Sequence, residues 1–230
     1  MKKSFLVFSI MFVSFLSVKA QINIIPKVGV NLTGISYIPH PYPTNEVLVG
    51  MQIGVATEIM LNDKFSIQPE LLYTQKGSLL ISNPGAFNNP VPYFNEYTTT
   101  TRLHYLEIPV LAKMKFGKGN FRFYLGAGLS AGMAVFATQT STSDLFVYGD
   151  TGFAYNGKDN TIKIGSGKGE LKRFDIGWQM GMGFEYKKFV LDLRYGQGFT
   201  NILNENNDYD KAQNKAFGAT LGYIIPFKLK

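Results

Sequence analysis

Apolar and polar side chains alternate with a period of two through most of the chain, and the apolar positions keep to one parity within each segment. The last segment is the clearest. Phe217, Ala219, Leu221, Tyr223, Ile225, Phe227 and Leu229 share one face, opposite Ala216, Gly218, Thr220, Gly222, Ile224, Pro226 and Lys228. A second segment sets Phe174, Ile176, Trp178, Met180, Met182, Phe184 and Tyr186 against Arg173, Asp175, Gly177, Gln179, Gly181, Gly183 and Glu185. This period predicts strands over Asn23 to Ile35, Val47 to Leu61, Lys64 to Lys76, Leu103 to Phe116, Asn120 to Val135, Arg173 to Tyr186, Phe189 to Phe199 and Ala216 to Leu229. No stretch of comparable length carries a helical period.

The connections alternate in length. Asn62-Asp63, Gly117-Lys118-Gly119 and Lys187-Lys188 are tight-turn sequences. Between them lie long polar connections, from Ser36 to Glu46, Gly77 to Arg102, Phe136 to Lys172 and Thr200 to Lys215. Long loops at one end and short turns at the other, with bulky apolar side chains facing away from a face of glycines and charges, describe a barrel turned outward to lipid. The expected fold is all-β, an eight-stranded antiparallel up-and-down transmembrane β-barrel with long extracellular loops and short periplasmic turns. A soluble lipocalin-like periplasmic barrel that binds a ligand is the alternative, and it requires the inverse arrangement, polar outside and apolar within.

The inward parity collects Lys27, Glu58, Glu70, Glu107, Lys113, Lys115, Arg122, Asp175, Glu185, Asp192 and Arg194. Charges withdrawn from bulk water persist when paired or hydrated. The expectation is therefore a lumen filled by a salt-bridged structural network, since an eight-stranded interior is just wide enough for side chains to fill it. Aromatic residues at strand ends, such as Phe65, Phe116, Phe121, Tyr186, Phe189 and Phe227 at the short-turn end, suit the two membrane interfaces.

Export follows from the first residues. Lys2 and Lys3 precede an apolar run from Phe5 to Leu16, then Val18-Lys19-Ala20, the layout of a secretory signal peptide cleaved after Ala20. Residues 1–20 are read as that signal and residues 21–230 as one barrel domain of the cell outer membrane. Without the three lysines of the signal, the formal charge falls from +7 to +4, which calls for no nucleic-acid partner. The absence of cysteine excludes disulfides, thiolate metal sites, cysteine nucleophiles and a lipidated cysteine.

Several segments resemble the PorT-like outer-membrane β-barrel proteins of Bacteroidota. They are the run from Ile67 through Pro69, Glu70 and Tyr73 to Gly77; Tyr105-Leu106-Glu107-Ile108-Pro109-Val110-Leu111; Asp175-Ile176-Gly177 with Gly181, Gly183, Glu185 and Tyr186; and the run from Arg194 through Gly196 and Gly198 to Ile202. The resemblance implies the barrel fold and a structural or interaction role in the envelope, with protein secretion as the function associated with the founding member. Outer-membrane lipid is then the first partner, with a protein or glycan at the extracellular loops as a second.

Chemistry is sparse. Gly126 to Gly132 lacks the spacing of a dinucleotide loop and continues a strand, and Gly165 to Gly169 lacks the upstream glycine of a phosphate loop. His40 and His104 make no metal signature. A rim hydrolase built on His104 with Glu96, Ser141 or Ser143 has no nucleophile motif behind it, and the spacing of Asp144, Asp150 and Asp159 fits no calcium loop. Phe87, Tyr93, Phe94 and Tyr97 are candidate contacts for a loop partner. The expectation is a non-enzymatic barrel with no cofactor, no catalytic residue and no metal site.

Overall fold

The computed structural model describes residues 21–38, 45–82, 86–89, 91–147, 154–157, 159–204 and 211–227. The proposed signal segment and His40 lie outside them. The strands, in chain order, are β1 (Ile22–Ile38), β2 (Asn45–Glu46), β3 (Leu48–Met60), β4 (Phe65–Ser82), β5 (Ala86–Asn89), β6 (Val91–Phe116), β7 (Phe121–Val147), β8 (Ala154–Asn156), β9 (Asn160–Thr161), β10 (Phe174–Tyr186), β11 (Phe189–Gly198), β12 (Lys211–Tyr223) and β13 (Ile225–Phe227).

Eight of these form the wall: β1, β3, β4, β6, β7, β10, β11 and β12. Each pairs antiparallel with the next, and β12 with its continuation β13 closes on β1, so no wall edge is left open. The wall is the eight-stranded barrel that the alternation implies. Val28, Val30 and Leu32 on β1, Met51 and Ile53 on β3, Leu125 and Leu129 on β7, and Ile176 and Met180 on β10 all point outward and are exposed, Leu129 at 63%. That parity rules out the lipocalin-like arrangement. On β6 the outward apolar run from Leu106 to Phe116 is ten steps long, about 34 Å along the strand and, at a tilt of about 40°, about 26 Å along the membrane normal. A lipid-facing band of a bacterial barrel is about 25 Å tall.

The three tight turns have local causes. Asn62 Oδ1 accepts from the backbone N–H of Lys64 and of Phe65, each at 2.9 Å, closing an Asx turn between β3 and β4. Gly117 and Gly119 adopt φ of 94° and 75° between β6 and β7, a region that glycine enters freely. Lys187 adopts φ of 54° in the two-residue turn between β10 and β11.

Two features depart from the expected segmentation. The connection expected over Gly77 to Arg102 is largely strand: β4 runs on to Ser82, and β6 begins at Val91 and pairs with it from Tyr97 to Arg102. Likewise β7 continues to Val147, with β8 and β9 added along its free edge, and β12 begins at Lys211. The result is a sheet standing above the lipid-facing band. Its core is Thr98 to Thr101 opposite Gln139 to Thr142, β-branched and polar side chains that favour strands yet show no apolar alternation, because neither face is in lipid. Where wall and extension meet, His104 pairs with Phe136 and Tyr105 with Ala134, which leaves Val135 as an extra residue in a β-bulge. Parity on β7 flips there, so both Ala134 and Ala137 face inward.

Candidate functional site

The lumen is built in layers by the alternate residues of distant strands. In the layer nearest the short turns, Glu58 on β3 accepts from Lys113 Nζ at 3.0 Å, Lys115 Nζ at 2.8 Å, Ser66 Oγ at 3.1 Å and Asn23 Nδ2 at 3.2 Å. Lys115 also meets Glu185 at 2.7 Å. The Lys113 ammonium sits 3.6 Å from the centre of the Tyr124 ring. That ring crosses the floor because Gly183 lies beneath it: a Cβ at residue 183 would come 2.2 Å from Tyr124 Cζ. Glu58 has 0% exposure, so four donors replace the water it has lost.

The middle layer joins four charges. Arg194 donates through Nη1 to Glu70 Oε2 at 2.9 Å, through Nη2 to Glu70 Oε1 at 2.7 Å, and through Nε to Asp192 Oδ1 at 2.9 Å, with a further bond from Nη2 to Asp192 Oδ2. A guanidinium can serve two carboxylates this way because its donors form a planar fork. Lys27 completes the square, at 2.8 Å from Asp192 and 3.3 Å from Glu70. Gln68 links the two layers, accepting from Lys113 Nζ at 2.8 Å and donating to Glu70.

The upper layer contains Lys76 paired with Glu107, and Asn214, whose Nδ2 donates to Asp175 Oδ2 at 2.9 Å and to the Tyr105 hydroxyl at 3.2 Å. Above it lies an apolar cap. Ile35, Leu103, Tyr105, Ala134, Ala137, Leu171, Ile202 and Ala212 are buried together, with Ile162, Ile164 and Leu203 packed on them. Backbone bonds hold the capping segments in place, including Leu171 N–H to Lys163 O at 2.9 Å, Lys172 N–H to Ile202 O at 2.8 Å and Ile202 N–H to Ala212 O at 2.9 Å.

The structure thus brings Lys27, Glu70, Asp192 and Arg194 into one cluster and Glu58, Lys113, Lys115 and Glu185 into another, with Glu107 and Asp175 above them. Arg122 stands apart, half-buried at the short-turn mouth and in register with Glu185, yet in none of the ion pairs among the described residues. It sits one residue into β7, where the lumen opens to water. Sequence reading passed over Lys76, which shares the inward parity of Glu70 and Thr74 but ends the segment expected as strand. It also passed over the neutral linkers Asn23, Gln68 and Asn214, and the cap residues, which lie in segments without alternation.

Among the described residues the rim candidates do not converge. His104 points outward, its Nδ1 2.5 Å from the Tyr73 hydroxyl and its ring 5.5 Å from that of Phe136. Ser141 is in register with Thr99, five residues above His104 on β6, about 17 Å along a strand. Asp159 accepts from Thr140, while Asp150 and the side chains of Glu96, Ser143, Asp144, Phe87, Tyr93 and Phe94 lie outside the described residues. Tyr97 is exposed.

Residues 15–204 match the family described as the outer membrane protein beta-barrel domain. The chain belongs to that family. Its place is the cell outer membrane, where the outward apolar band meets lipid. No curated protein matches the sequence. Among solved structures the chain is similar to Neisserial surface protein A (NspA), at 14% identity over 87% of this chain and 96% of that one, TM-score 0.42. It is similar also to Ail, the attachment invasion locus protein of Yersinia pestis, at 10% identity over 90% and 100%, TM-score 0.41. The outer membrane enzyme PagL matches at 10% identity over 88% and 99%, TM-score 0.43.

Proposed function

We propose that this member of the family is a non-enzymatic, sealed envelope barrel that works through its extracellular sheet, engaging a protein or glycan partner in the export of proteins across the outer membrane. The observation that carries the reading is the contrast between the two ends of β6 and β7. Within the membrane, inward residues of β6 are locked in ion pairs, Lys113 and Lys115 with Glu58 and Glu107 with Lys76, beneath an apolar cap, and this filling supports a sealed lumen. Above it the same strands continue in unbroken register from Leu103↔Ala137 to Tyr93↔Val147, where neither lipid nor lumen requires them. The likeness of the Ile67 to Gly77 and Arg194 to Ile202 segments to PorT-like proteins supports secretion as the process served.

The test is a shortened chain in which an Asn-Gly turn joins Ser78 to Thr101 and another joins Thr138 to Thr161, both register pairs. The barrel is expected to fold and to shift on heating in a detergent gel. Proteins released into the medium should fall to the level of a strain lacking the chain altogether. Normal release from the shortened variant would remove the extracellular sheet from the function, and normal release from the deletion strain would remove secretion.

A further inference from the structure

The layers of the lumen differ in charge. The lower one holds Glu58 and Glu185 against Lys113 and Lys115, and the middle one holds Glu70 and Asp192 against Lys27 and Arg194. The upper layer has one ammonium, Lys76, for two carboxylates, Glu107 and Asp175. Lys76 is engaged by Glu107, and among the described residues Asp175 forms no ion pair. It is 5% exposed, and its Oδ1 is buried with no hydrogen-bond partner. Arg122 is ten residues from Gly132, the register partner of Asp175, so it lies about 33 Å down the strand and cannot compensate this charge.

Asp175 borders a small polar chamber, part of it continuous with solvent, whose lining includes Asn31, Thr74, Lys76, Glu107, Arg194 and Asn214. Buried polar atoms without hydrogen-bond partners gather there, the oxygens Asp175 Oδ1, Asn214 Oδ1 and Thr74 Oγ1 with the nitrogen Asn31 Nδ2. Asn214 and Asp175 are tied through Nδ2 and Oδ2, so their two Oδ1 atoms are the free ends of one hydrogen-bonded pair. Glycines keep the space open. A Cβ at residue 198 would stand 2.7 Å from Asp175 Oδ1, and one at residue 218 would stand 2.7 Å from Asn31 Oδ1 and 3.3 Å from Gln52 Oε1.

We propose that this chamber is a binding site for one monovalent alkali cation, held by Asp175 Oδ1 and Asn214 Oδ1 and neutralising the upper layer. Asp175 and Glu107 share the one ammonium of Lys76, while the Arg194 guanidinium that also lines the chamber is engaged by Glu70 and Asp192. A buried carboxylate left short of counter-charge is costly, and amide, hydroxyl and carboxylate oxygens are the donors that hard cations prefer. One surplus negative charge matches a monovalent ion. Among the described residues Glu107 is the only other carboxylate lining the chamber, and Lys76 occupies it.

The full-length protein, folded in detergent micelles, is heated in chloride salts of sodium, potassium or N-methyl-D-glucamine at equal ionic strength, and the unfolding midpoint is followed by Trp178 fluorescence. The midpoint should be higher in sodium or potassium than in the bulky cation and should saturate with concentration as for a single site; the preferred alkali ion identifies the occupant. Asp175→Asn, which keeps the shape and removes the charge, should abolish the difference and be more stable than the parent in N-methyl-D-glucamine. Gly198→Ala, which crowds Oδ1 without changing charge, should raise the half-saturating concentration at least tenfold, and it carries the test if Asp175→Asn does not fold. Equal midpoints in all three salts, as for an Asp175 that is simply protonated, would overturn the site. So would an alkali-ion effect that persists in Asp175→Asn, or a half-saturating concentration left unchanged by Gly198→Ala.

Discussion

Arg194 offers the sharpest test of how the lumen stabilises the barrel. Replacing it with methionine keeps most of its volume but removes the donors to Glu70 and Asp192, whose side chains are 0% and 2% exposed. Lys27 then faces two carboxylates alone. Removing one partner of a buried ion pair costs about 3–5 kcal/mol, a few hundredfold to a few thousandfold in the folding equilibrium. The cost arises from the orphaned charge, so removing that charge too should recover part of it. Arg194→Met combined with Asp192→Asn leaves Lys27 and Glu70 as a matched pair, and its expected cost is about 1–2 kcal/mol. The double-mutant cycle should therefore give a coupling of about 2 kcal/mol or more. Urea unfolding in lipid vesicles reads these values through Trp178, the chain's single tryptophan, which packs against Tyr195 at 5.7 Å on the outer face. A single-mutant cost below about 1 kcal/mol, or a double mutant as damaged as the sum of the singles, would refute charge pairing as the source of lumen stability.

The other expectations use the same assay. Leu129→Arg, at the middle of the lipid-facing band, should cost about 2–4 kcal/mol, and a change below 0.5 kcal/mol, which is about the scatter of an ordinary surface substitution, would place Leu129 outside the membrane. Gly183→Ala should push the Tyr124 ring off Lys113 and cost about 1–3 kcal/mol, with loss of ring order visible in near-ultraviolet circular dichroism. Lys187→Gly should raise stability by about 0.5–1 kcal/mol, because the turn holds Lys187 at positive φ; a loss would mean that its contact with the Tyr186 ring matters more. Leu171→Asp should loosen the cap yet leave the protein non-conducting in a planar bilayer, since the charged layers below still fill the lumen; a steady conductance in this variant would make the cap the seal.

The wall was legible because membrane and lumen impose opposite chemistry on alternate residues, and Phe174 to Tyr186 records that contrast residue by residue. Lumen contents followed from the same parity, which marked Glu58, Glu70, Asp192 and Arg194 although their partners could not be named. Above the membrane the constraint vanishes, so Thr98 to Thr101 reads as loop but pairs as strand. The bulge at Val135 was hidden for a different reason: it inserts one residue between two segments that each alternate correctly, and only a partner strand reveals the slip. Cap residues such as Leu171 and Ile202 are isolated apolar positions among polar ones, and their burial depends on contacts between segments distant in sequence. Arg122 shows the limit of parity, which assigns a face but not a depth.

The ion pairs also bear on how the barrel is completed. Lys27 and Asp192 are 165 residues apart in sequence, and Glu70 and Arg194 are 124 apart. In the ring β1 and β11 are separated only by β12, so Lys27 reaches Asp192 once the last long strand has filled the gap between them. A sheet still open at that seam would carry unmatched charges into a medium that tolerates them poorly. Insertion strand by strand is therefore penalised, and wrapping, neutralisation and entry into the bilayer become a single concerted event. The lumen acts as a completeness check on assembly, withholding its stabilisation until the seam is shut.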